Sequence, residues 1–153
     1  MKTNWLQDVT IDKNLQNSLS TFINCYGLSG LEQAMQYYIN MQKEYTCKTK
    51  TSVSKFVMSD IYYLTIREHK ITIYTNQGIY HKYGTLKNEL KTLSLYNFIM
   101  CNQSCIVSLK KIRSICNNNI ILSNNEVLHM SRKYAPKVLV AFTHNNFFNS
   151  TKS

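Results

Sequence analysis

The chain has 153 residues, enough for one domain with a short appendage and for a core that needs no disulfide or metal. It carries 18 Lys and Arg against 8 Asp and Glu, a formal net charge of +10. The excess is uneven. Residues 1–42 hold Lys2 and Lys13 against Asp8, Asp12 and Glu32, net −1, whereas the other sixteen cations face only five acids, net +11. A basic body behind a near-neutral front end suggests a polyanion-binding domain with a regulatory or packing segment.

The five cysteines are odd in number and form no CxxC pair, and the four histidines are scattered, so no metal site is expected. With no signal-peptide pattern, the expected compartment is a reducing cytoplasm. No apolar run approaches the length of a membrane span. Carboxylates are few, and neither a Gly-rich phosphate loop nor a nucleophile elbow is present. We therefore expect no enzyme, no cofactor and no small-molecule substrate.

From Ile11 the apolar spacing is helical (Ile11, Leu15, Leu19, Phe22, Ile23), and Gly27 can close that helix. Ser29 and Glu32 read as a capping box for a second helix, with Leu31, Ala34, Met35, Tyr38 and Ile39 on one face. The two make an αα-hairpin over residues 1–44. Its second helix has almost no cations, so packing on the body or self-association fits better than groove reading.

From Tyr45 the period becomes two. Residues 45–51 and 61–66 read as strands, and 71–75 and 79–83 as a hairpin about Asn76-Gln77-Gly78. Thr85 can cap a short helix with Leu86, Leu90 and Leu93 on one face. The stretch 98–113, FIMCNQSCIVSLKKIR, then places two apolar runs around a polar step, Asn102-Gln103-Ser104. Buried strands flanking a surface loop are expected, with Lys110, Lys111 and Arg113 following closely. Amides can bond base edges and cations can meet phosphates, the two requirements for reading a DNA groove. Strands over 112–116, 120–122 and 126–130 follow, then a helix starting near Tyr134 or Ala135 with Pro136 in its first turn. Residues 143–153 read as a loosely ordered tail.

Residues 45–142 resemble the LytTR DNA-binding domain of bacterial transcription regulators. The ordered series is Asp60-Ile61-Tyr62-Tyr63-Leu64, His69-Lys70, Thr85-Leu86 with Leu90 and Leu93, Phe98, Ser104-Cys105-Ile106-Val107, Ile112, Ile121-Leu122, and Ser131-Arg132 with Tyr134 and Val138. The resemblance implies a mainly β fold, an elongated sandwich of about ten strands with short helices, behind the N-terminal αα-hairpin. It implies a transcription regulator that reads direct repeats upstream of promoters through loops in successive major grooves of duplex DNA. It also brings a membrane-bound inhibitor protein as a further partner, while the N-terminal helices suggest a second copy of the chain. The other reading of the charge and the tyrosines is an RNA or single-stranded nucleic-acid binder.

Carried over residue by residue, the base readers are His69, the Asn102-Gln103 step and Arg132. The imidazole of His69 can donate or accept, so a modest pH dependence of binding is expected. Backbone contacts are expected from Lys70, Ser104, Lys110, Lys111, Arg113 and Lys133. Cys101 adjoins the loop among cations that could lower its thiol pKa, which raises a redox role beside that of a small apolar anchor. The pattern departs from the family at Met100, Cys101, Asn102 and Ser108, which bears on the target sequence more than on the fold. Residues 1–44 are too short for a phosphoreceiver domain, so control by aspartyl phosphorylation is not expected.

Overall fold

The structure, a computed structural model, describes residues 12–144. It divides into two units, with the boundary between Tyr38 and Ile39. The helical run α1 (Lys13–Met41) opens at Asp12, whose Oδ1 accepts from Leu15 N at 2.8 Å and satisfies one of the free N–H groups of the first turn. Ile11, expected to begin the apolar stripe, lies outside the described residues.

Gly27 interrupts the run with φ 75° and ψ 175°, a region that glycine alone occupies readily. This is where the first helix was expected to end. Leu28 and Ser29 are already helical, so Ser29 is not an N-cap. Its hydroxyl instead accepts from the Gln33 side chain at 3.4 Å. Gly30 is required by proximity, because a Cβ there would lie 2.6 Å from Tyr26 Cβ. Leu15, Leu28, Met35 and Tyr38 are exposed, and Met41 is the first buried side chain along α1 among the described residues.

Among the described residues, ten strands form three antiparallel sheets. β1 (Glu44–Lys48) and β2 (Val53–Val57) make a two-stranded hairpin. β2 was not expected: its five residues carry one fully inward aromatic, Phe56, too little period-two signal to stand out. The central sheet has the order β5-β4-β3-β7-β6, from β3 (Ile61–Arg67), β4 (Lys70–Thr75), β5 (Gly78–Tyr83), β6 (Phe98–Asn102) and β7 (Cys105–Ser108). The third sheet joins β8 (Ile112–Cys116), β9 (Asn119–Leu122) and β10 (Val127–His129). Two helices complete the unit. α2 (Leu86–Leu93) is capped by Thr85, whose Oγ1 accepts from Asn88 N at 3.3 Å. α3 (Ala135–His144) carries Pro136 in its first turn and takes the first two residues of the expected tail, the rest of which lies outside the described residues.

The central sheet is buried on both faces, which explains the long apolar reading of the 98–109 stretch. One face packs Leu64, Ile71, Ile73 and Ile106 against Tyr45 and Phe56 of the β1–β2 hairpin and Leu86 and Leu93 of α2. The other packs Cys105 and Val107 against Ile112, Ile120, Leu122 and Met130 of the third sheet and Val138 of α3. All four residues of β7 are buried. Truncating Ile106 to Ala would cost about 2–5 kcal/mol, since it has no exposed surface and the site cannot collapse freely.

Candidate nucleic-acid interface

Strand direction decides which loops meet. β3 pairs antiparallel with β7, Thr65 opposite Cys105. The turn that ends β3 and the step that opens β7 therefore lie at the same end of the central sheet. Ile66 N donates to Ser104 O at 2.9 Å and ties them. The third sheet brings its own turns to this end: Met130 N donates to Asn118 O at 2.8 Å, and Ser131 N to Cys101 O at 3.0 Å. The turns at 68–69, 103–104, 117–118 and 130–133 thus form one cluster.

Each turn is shaped by local chemistry. Glu68 and His69 both have positive φ, 52° and 29°, in a two-residue connection where Asn-Gly would be the relaxed choice. Such strain costs on the order of 1–3 kcal/mol and gathers at functional positions. His69 is exposed in this turn. In the next turn Asn102 is the brace. Its Oδ1 accepts from Ser104 N at 2.9 Å and from Ser104 Oγ at 3.1 Å, and its Nδ2 donates to His129 O at 2.8 Å. Gln103 is thereby pushed to the tip and exposed. Arg132 and Lys133 stand exposed in the turn before α3, with Lys133 Nζ 5.6 Å from the Tyr134 ring centre.

The side chains of His69, Gln103 and Arg132 make no hydrogen bond or ion pair among the described residues. The cluster also gathers Arg67, Lys70, Arg132 and Lys133 against the single acid Glu68. A positive rim around free hydrogen-bonding groups suits a polyanion whose bases are to be read.

Three expected contacts fall elsewhere. β7 runs away from the 103–104 turn, so Lys110, Lys111 and Arg113 stand roughly 13 Å off, at the opposite end of the sheet. They are also engaged there. Lys111 Nζ lies 4.8 Å over the Tyr62 ring, and Arg113 donates to Asn125 Oδ1 at 2.5 Å. Lys110 is half-buried, and burial lowers its pKa. Closeness in sequence did not survive the intervening strand.

Cys101 is buried, with no exposed surface, in the bulged register between Met100 and Asn102. Its thiol pKa is lowered, but the leading cause is a hydrogen bond from the Cys105 thiol and not the surrounding cations. Cys105 is correspondingly pushed up. Among the described residues no group of His, Cys, Asp and Glu could hold a metal, and no helix is long and apolar enough to cross a membrane.

The family model of the LytTr DNA-binding domain matches residues 52–142, which takes in all four turns. A solved LytTr DNA-binding domain from Bacillus cereus is similar in fold, with a TM-score of 0.55 at 23% identity, over 63% of this chain and 95% of that one. No curated protein matches. The matched segment, more than half the chain, holds the whole turn cluster, all of one core and all of the other but Tyr45 and Cys47, and the chain belongs to the family of LytTr DNA-binding domains.

Proposed function

We propose that the protein is a sequence-specific duplex-DNA-binding transcription regulator that reads direct-repeat promoter sites with its turn cluster in the major groove. The observation that carries this is the division of labour at one end of the sheets: Asn102 is spent on bracing, while His69, Gln103 and Arg132 present free groups. An arginine can take guanine bidentately and a glutamine can do the same to adenine. Lys70 and Lys133 sit beside them for phosphate contact, whereas Ser104 has its N–H and its hydroxyl turned to Asn102 Oδ1. The single-strand reading is disfavoured because several rings it could use for stacking are stacked on one another: Tyr45 on Phe56, Phe56 on Tyr80 and Tyr63 on Tyr74.

The exposed apolar residues of α1, Leu15, Leu28, Met35 and Tyr38, suit pairing with a second copy on tandem sites. Removal of residues 1–38, which spares buried Met41, should then lower the solution mass or weaken paired-site binding. The test of the function is selection of bound duplexes from a random library at near-physiological salt. Enrichment of a short motif in tandem, spaced by whole helical turns, is the expected result. A flat library, or equal capture of single strands, would refute it.

A further inference from the structure

We propose that the β1–β2 hairpin is a DNA-backbone arm, with Lys48, Lys50 and Tyr83 gripping the phosphates that flank the segment faced by His69. This rests on the duplex-DNA reading above and adds contacts outside the matched family segment, since β1 and Lys48–Lys50 precede residue 52.

Two open clefts share one wall. The first, about 860 Å³, is lined by Lys48, Thr49, Lys50, Thr51 and Tyr83. The second, about 500 Å³, is lined by the turn from Arg67 to Lys70, with Thr72 and the same Tyr83. Tyr83 therefore stands between the hairpin tip and the His69 turn, 77% exposed, at the end of β5 where it pairs with Lys70. An aromatic this exposed gains nothing from the core, whereas its hydroxyl is suited to a phosphate oxygen. Neither Lys48 nor Lys50 has an acidic partner among the described residues, whereas Lys55 on β2 lies 4.0 Å from Glu44. The two clefts meet at Tyr83, with Lys48 and Lys50 lining one, Arg67 and Lys70 the other, and Glu68 the one acid among their lining residues.

The arm is ordered before any ligand arrives. Tyr45 donates to Glu89 Oε2 at 2.7 Å, and Lys82 Nζ meets Glu89 Oε1 at 2.6 Å and the Tyr45 hydroxyl at 3.3 Å. Lys82 and Glu89 are 19% and 12% exposed, so solvent screens this triad only weakly. Phe56 stacks between Tyr45 and Tyr80, and Cys47 Sγ donates to His81 O at 3.4 Å. At the tip, Thr49 N donates to Ser52 O at 2.8 Å, and the Thr49 and Ser52 hydroxyls meet at 2.8 Å. Binding would then cost little ordering entropy in the hairpin.

The experiment measures affinity of the full chain for its library-selected duplex across 50–200 mM salt. Each lost phosphate contact lowers the log–log slope by about 0.9, so the double variant Lys48→Gln/Lys50→Gln should lose about 1.8 in slope. Over that fourfold salt range this is about a twelvefold smaller fall in affinity. The preferred motif should be unchanged, and the hydroxyl-radical footprint should shorten on the flank next to the His69 contact. Lys55→Gln, on the same hairpin, should leave slope and footprint alone. An unaltered slope in the double variant, or an equal loss in Lys55→Gln, would overturn the arm. Wild-type protein that selects no duplex would overturn the parent reading instead, a distinguishable failure.

Discussion

Asn102 and Gln103 are adjacent amides with opposite assignments, which makes them the sharpest test of the interface. Asn102 makes three side-chain hydrogen bonds that join its own turn to β10. At about 1 kcal/mol each, less what water returns to a half-exposed site, Asn102→Ala should cost about 2–3 kcal/mol of stability. A domain of ordinary stability survives that loss. The turn cluster, however, would then occupy its reading arrangement for a smaller fraction of the time. Affinity falls by that fraction, up to about thirtyfold for 2 kcal/mol, and falls alike for every duplex. The Gln103 side chain makes no hydrogen bond among the described residues, so Gln103→Ala should alter stability by less than about 0.5 kcal/mol. It should instead remove about 1–3 kcal/mol of preference at one base pair. Urea unfolding, with fluorescence anisotropy on the selected duplex and its single-pair variants, reads both quantities. If Asn102→Ala unfolded at the wild-type midpoint and lost preference at a single pair, Asn102 would be a reader and the bracing argument would fail.

Arg132→Lys keeps the charge but loses the planar fork, so preference at one pair should fall by about 1–3 kcal/mol with the salt slope unchanged; intact preference at every pair would make Arg132 a phosphate contact. Burial first, then donation to Glu89, raises the Tyr45 pKa well above its usual 10, so its neutral form is favoured by folding. That contribution is whole below pH 10 and is lost as pH rises beyond it, so urea midpoints should drop on the alkaline side, and less steeply in Tyr45→Phe; equal drops would refute the coupling. Cys25 and Cys116 are exposed while Cys47, Cys101 and Cys105 are buried, so a thiol reagent should titrate two groups in the native chain and five after denaturation. Burial shields Cys101, and peroxide should leave DNA affinity unaltered; rapid reaction of a third thiol would return the redox role to it.

The legible part of this chain was whatever repeats locally. Period-two alternation located β3, β4 and β5, the Asn-rich turns separated β8, β9 and β10, and Thr85 announced α2. Gly27 marked the helix break because its backbone angles exclude other residues. The illegible part depended on direction and distance. Lys110, Lys111 and Arg113 follow the polar step by only a few residues, but one strand carries them to the opposite end of the sheet. The inward turn of the Asn102 amide depends on His129, 27 residues further on, which no local pattern reports. Lys48 and Lys50 look like ordinary strand and turn cations until the β1–β2 hairpin is seen clamped beside Tyr83.

β7 has a consequence for how the domain assembles. It is four residues long, contributes Ile106 to one core and Cys105 and Val107 to the other, and pairs with β3 from about forty residues earlier. Neither core can close until this short strand is docked, and docking it means closing the intervening loop first. Formation of the β3–β7 pair is thus the natural gate of the folding reaction, reached late and committing both halves together. The amides of the central and third sheets should accordingly exchange by one global opening, and no half of the β-rich unit should persist alone.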